Sequence, residues 1–132
     1  MDQIQFPNMK IYYAHAMCIY GTDDEEMEMQ QIKQNFPDHL IVDPGTYSNN
    51  PDKRNGGMEY CKKLVSSCDK LVFTKLLGKI TSGVGIEINH ALEQGKPVFE
   101  LRKGKSKLIK KPVNFISRID TLSLYGKYKI GK

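Results

Sequence analysis

No stretch of this 132-residue chain is apolar over the roughly 18 residues that a membrane-spanning helix needs. Residues 1–10 carry no apolar core of a secretory signal. The chain is therefore expected to be soluble, unsecreted and cytoplasmic, with no membrane partner. Its three cysteines, Cys18, Cys61 and Cys68, are odd in number, and the step from Cys61 to Cys68 matches no common metal signature. Free thiols and no metal centre are the expectation. Internal repeats and low-complexity segments are also missing, so one domain over 1–132 is expected, long enough to bury a core without disulfides or a structural metal. Acid is nearly missing from the C-terminal segment: residues 102–132 hold ten Lys/Arg against Asp120 alone, whereas residues 1–101 hold ten against fourteen Asp/Glu.

What is present is an alternation of strand and helix. "KIYYA" (10–14) reads as a first strand. The next segment, 21–36, opens with Thr22 and Glu25 at capping-box spacing, keeps helical composition and stops at Pro37. "LIVDPG" (40–45) reads as a second strand and "TYSNNPDKRNGG" (46–57) as a loop long enough to be functional. "MEYCKKLVSSC" (58–68) reads as a helix with Tyr60, Leu64 and Val65 on one face. "KLVFT" (70–74) is nearly continuous in apolar character, as a buried parallel strand is. A third helix over 84–94 ends at Gly95, and "PVFEL" (97–101) is a fourth strand. "FISRIDTLSL" (115–124) fits a fifth strand or a short helix plus strand. The pattern predicts an α/β, flavodoxin-like (Rossmann-like) three-layer sandwich with a mostly parallel sheet.

In such sheets ligands bind beyond the carboxyl ends of the strands, where strand order reverses. The loops after the first three strands should meet there. The first contains only Gly21, which excludes the dinucleotide fingerprint, and its Ala14-His15-Ala16 lacks the acidic pair of a phosphorelay receiver. The third leads into "TSGVGIEINHAL" (81–92), where a lone carboxylate, Glu87, follows two glycines. Placed near a helix start, Glu87 would be favoured in its ionised form. The amides of Gly83, Val84 and Gly85 would be open to an anion or a sugar oxygen. An ionised carboxylate beside such a loop suits nucleophilic attack or stabilisation of a cationic carbon. The plain alternative is an ordinary acid at a helix start, with the glycines providing a tight turn.

"SGVGIEINHALEQGKPVFEL" (82–101) resembles the signature region of the nucleoside 2-deoxyribosyltransferase superfamily, which includes the 2′-deoxynucleoside 5′-phosphate N-hydrolases. The resemblance implies that Glu87 is the nucleophile at the anomeric carbon. "KIYYAHAM" is similar to the family's first strand and substrate loop, which implies that Tyr12, Tyr13 and His15 lie near the sugar or base. Thr81 falls where nucleotide hydrolases of the family carry a hydroxyl residue. With Ser82, Gly83 and Gly85 it would complete a substrate-binding loop. Cys61 stands where the family has an Asp that handles the leaving base's proton, leaving Glu59, Asp43 or a water for that task. The resemblance implies a small-molecule nucleoside or nucleotide substrate, no metal or organic cofactor, and a homodimer or higher homo-oligomer.

Two other classes stay open. The departure at position 61 fits a non-catalytic module that binds or senses a nucleotide. The basic segment 102–132, with Tyr125 and Tyr128 among its lysines, fits nucleic-acid association; a solvated lysine-rich surface explains it more simply.

Overall fold

Alternating side chains in the first strand face opposite sides of the sheet, so a strand buried on both faces must be apolar throughout. That is the pattern of Ile11, Tyr12, Tyr13 and Ala14, all fully buried. The computed structural model describes residues 9–47, 50–51 and 56–131. It contains strands β1 (Met9–Ala14), β2 (His39–Val42), β3 (Lys70–Phe73), β4 (Val98–Arg102) and β5 (Lys105–Ile109). Its helices are α1 (Asp23–Asn35), α2 (Met58–Ser66), α3 (Ser82–Glu93) and α4 (Arg118–Ile130), with 3₁₀ turns at Met17–Ile19 and Pro44–Tyr47. Of the loop expected over 46–57, residues 48–49 and 52–55 lie outside the described set.

The sheet order is β2-β1-β3-β4-β5, with β1 to β4 parallel and β5 antiparallel to β4. One face packs Ile11, Tyr13, Ile32, Phe36, Val72 and Leu101, which sets α1 against the sheet. The other packs Tyr12, Val65, Leu71, Phe73, Ile88 and Val98, which sets α2 and α3 there. The protein is thus an α/β three-layer sandwich with flavodoxin-like strand order. Among the described residues, no helix is long and apolar enough to cross a membrane.

Two features differ from the sequence expectation. The fifth strand comes from the lysine-rich segment, not from 115–124. Lys103 and Gly104 both take positive φ, 53° and 78°, the signature of a two-residue hairpin turn between β4 and β5. Asn35 clamps this hairpin to the end of α1: its side-chain amide donates to the Gly104 carbonyl, and its Oδ1 accepts from the Ser106 amide and hydroxyl. Residues 118–130 instead form α4, started by Ser117, whose hydroxyl accepts from the Asp120 amide.

Candidate functional site

The chain passes from β1 outward to β2 and returns to β3 on the other side of β1. The carboxyl ends of β1 and β3, paired at Ala14 and Phe73, therefore border the crevice where strand order reverses. At its edge, on the α3 side, the Tyr12 hydroxyl donates to Glu87 Oε2 at 2.6 Å. Tyr12 is fully buried and Glu87 is 5% exposed. Burial, with the charges of Glu87 and Cys61 beside it, drives the Tyr12 phenol far above its ordinary pKa. It keeps its proton and stays a donor to the carboxylate. Hydrogen bonds of this charge-assisted kind are the strong ones.

The helix carrying Glu87 starts earlier than its sequence suggests. Thr81 is the N-cap and Ser82 the first helical residue, so Glu87 belongs to the second turn and no acid occupies the first. The helix dipole acts mainly within the first turn. The donor that holds Glu87 is thus Tyr12 rather than the helix end. The glycines also have packing duties. A Cβ on Gly85 would lie 2.2 Å from the Phe115 ring, and one on Gly83 would lie 3.3 Å from the end of Met58. Asn89 holds the segment carrying Phe115 in place, its side chain pairing with both the amide and the carbonyl of Val113. The Gly85 amide donates to the Thr81 carbonyl and the Ser82 amide to the Thr121 hydroxyl at 2.9 Å. Of the amides expected to be open, those of Gly83 and Val84 have no partner among the described residues, whereas Gly85's is used.

The remaining expected residues divide between the two faces. Tyr13 points away from Glu87, as strand alternation requires, and its hydroxyl donates to Glu28 on α1. Thr74 donates to the same Glu28 oxygen at 2.9 Å. His15 lies on that face too. Its Nδ1 is 2.9 Å from the Tyr13 carbonyl, its Nε2 is 2.6 Å from Glu25 Oε2 and 3.6 Å from Asp43 Oδ1, and its ring stacks on Tyr13. Burial raises the Asp43 carboxyl above its usual range, opposed by His15 and the Gly45 amide. Glu59 does not join the site: its side chain is 77% exposed and faces Lys62 on the outside of α2. Cys61 is buried and near enough to Tyr12 and Tyr20 to help raise both phenols. His90 pairs with Ser66 on α2.

Sequence reasoning missed the residues that cover this edge. Helix α4 lies across it. Thr121 caps the Ser82 amide, the Tyr125 hydroxyl accepts from the Met17 amide, and the Tyr128 hydroxyl donates to Asp24. A small apolar cluster of Ala16, Ile19 and Leu76 packs with Leu124, Tyr125 and Tyr128 under the helix. Burial raises the phenols of Tyr20 and Tyr125, and the charge of Glu87 adds to both. A cavity of about 130 Å³ opens on the α1 side, bordered by Asp24, Glu28, Thr74, Lys75 and Tyr128. Glu87 does not border it, because Tyr12 and Tyr13 send their hydroxyls to opposite faces.

Compared with protein-family models and with curated proteins, the chain matches none. The site's chemistry therefore rests on its own atoms: a shielded carboxylate held by a phenol that keeps its proton, with a thiol and two further phenols around it.

Proposed function

We propose that the protein cleaves or transfers the N-glycosidic bond of a nucleoside or nucleoside 5′-monophosphate. The observation that carries this reading is the buried Tyr12–Glu87 hydrogen bond at the β1/β3 crevice. A carboxylate shielded from water and aimed by a fixed donor is suited to attack an electron-poor carbon. The anomeric carbon becomes such a centre as its bond to the base breaks. Glu87 forms the new bond to carbon, and the electron pair of the old bond leaves with the base, which takes up a proton. Water then releases the sugar, or a second base accepts it. With Glu59 on the outer surface and Asp43 beside His15 on the face opposite Glu87, a water molecule is left as the source of that proton.

Glu87 is 5% exposed and Tyr125 of α4 is near enough to feel its charge, so in this reading α4 moves aside to admit the substrate. That motion breaks the bonds of Thr121 and Tyr125, each contributing about 0.5–1.5 kcal/mol net, and the bond of Tyr128 to the Asp24 carboxylate. The amides of Gly83 and Val84, without a partner among the described residues, then face a ligand oxygen, which suits a phosphate or a sugar hydroxyl. In this reading the protein works in the cytoplasm, as a homodimer or larger oligomer. The test is a screen of nucleosides, nucleoside monophosphates and NAD for released free base. Release from at least one compound is expected. Binding of a nucleotide with no release from any compound would favour a non-catalytic module that senses the nucleotide.

A further inference from the structure

His15, Glu25 and Asp43 converge at the same carboxyl edge, on the face opposite Glu87, from three separate segments: the end of β1, the first turn of α1 and the end of β2. We propose that they bind a divalent first-row transition-metal ion.

Each donor is already aimed. The Tyr13 carbonyl can only accept, so His15 Nδ1 carries a proton and Nε2 faces the two carboxylates. A backbone acceptor on the far nitrogen is the usual support of a metal-binding imidazole. The ring cannot swing, because it stacks on Tyr13 at 3.6 Å between centroids and 4° between planes. Glu25 Oε1 accepts from the Gly21 amide at 2.9 Å, which turns Oε2 toward His15. Asp43 Oδ1 accepts from the Gly45 amide at 2.8 Å.

The spacing fits one ion. Metal–ligand bonds of about 2.0–2.2 Å place neighbouring donors roughly 3–4 Å apart. His15 Nε2 lies 3.6 Å from Asp43 Oδ1, inside that range. It lies 2.6 Å from Glu25 Oε2, a direct hydrogen-bond contact that must lengthen as an ion enters. All three donor atoms fall within 4.8 Å of one another. Charge points the same way. The Glu25 and Asp43 carboxyl oxygens lie within 4.8 Å of each other and of His15, so two acids share one small volume. A divalent ion beside a neutral imidazole balances both. The side chains are 0%, 13% and 11% exposed for His15, Glu25 and Asp43, so the imidazole is sealed while the carboxylates stay reachable. One nitrogen and two oxygens suit Zn²⁺, Mn²⁺ or Co²⁺ better than Ca²⁺, which prefers oxygen alone, or Cu⁺, which prefers sulfur.

This site does not depend on the glycosidic reading, and its test reads binding alone. Chelator-treated protein is titrated with Zn²⁺ and Co²⁺ by calorimetry, with Co²⁺ also followed by its visible absorption. Asp43→Asn and Glu25→Gln are titrated in parallel, and thermal unfolding without metal checks their fold. One ion per chain is expected, with affinity lowered by at least about 10–100-fold in each variant. No stoichiometric binding by the parent chain would overturn the site, and so would undiminished binding by either folded variant.

Discussion

Tyr12 Oη and Glu87 Oε2 stand 2.6 Å apart, joining the middle of the first strand to the second turn of the third helix across 75 residues of sequence. Tyr12 is 0% exposed, and a phenylalanine would fill the same core volume without a bond to Glu87. The hydroxyl is there for the carboxylate.

Tyr12→Phe should therefore impair Glu87 more than it impairs the fold. A hydrogen bond to a charged group contributes about 1.5–3 kcal/mol, so base release is expected to fall roughly 10–100-fold. Circular dichroism should stay at the parent's level. Unchanged turnover would mean that Tyr12 does not position the reacting carboxylate.

Gly85 is explained by packing. Alanine in a helix interior is ordinarily favoured over glycine by about 1 kcal/mol. Here the added Cβ would meet Phe115 at 2.2–2.5 Å, including the Cβ at the root of its side chain, so the ring cannot simply rotate away. Gly85→Ala is expected to lower stability by about 1–3 kcal/mol. Adding Phe115→Ala should restore part of that loss. A thermal melt in which Gly85→Ala equals or exceeds the parent would show that this contact is not tight.

Both examples mark how far the sequence could be read. The strand–helix alternation and the parallel sheet were legible because each rests on local pattern: buried apolar strands, Thr22 and Glu25 at capping spacing, Gly95 after a helix. Glu87 was read too near the helix start, because Ser82 and Gly83 look like loop residues but open the helix. The Tyr12–Glu87 bond was legible only as two residues in one region, since the pairing depends on which way β1 turns its side chains. The β4–β5 hairpin was missed because Lys103 adopts positive φ, 53°, without being the Asn or Asp that usually announces such a turn. Helix α4 was missed because its apolar residues divide between the crevice and the surface, leaving Ile119 and Ile130 79% and 88% exposed. Glu59 and Asp43 could not be told apart from sequence; one faces Lys62 in solvent and the other is largely buried beside His15.

Glu28 offers a pH test of the α1 face. Burial raises its carboxyl above the ordinary range, partly offset by the bonds from Tyr13 and Thr74. The folded state then holds this proton more tightly than the unfolded state does. The stabilisation is fully present below the ordinary carboxylate range and is lost as pH rises through the raised value. Gln at this position keeps an acceptor for both hydroxyls without the charge. Glu28→Gln should melt at or above the parent temperature near pH 8, and its advantage should shrink as pH falls toward 4. A deficit of equal size at every pH would contradict this origin of the shift.

Cys61 is buried close to Tyr12 and Tyr20, so a carboxyl there would stand near Glu87. Cys61→Asp is expected to raise base release, because a positioned acid typically contributes about 10²–10⁴-fold. It should also lower the melting temperature, since it adds a second acid to a shielded pocket. Lower stability with no gain in release would show that position 61 does not serve the leaving base.

The central claim is that the Glu87 carboxylate itself performs the attack. Glu87→Gln keeps the shape and an acceptor for the Tyr12 hydroxyl while removing the nucleophile. The deciding measurement is free-base release by Glu87→Gln from the best nucleoside or nucleotide substrate of the parent, alongside binding of that compound by both proteins. The account predicts loss of release with binding and fold retained. Release at the parent rate would contradict it.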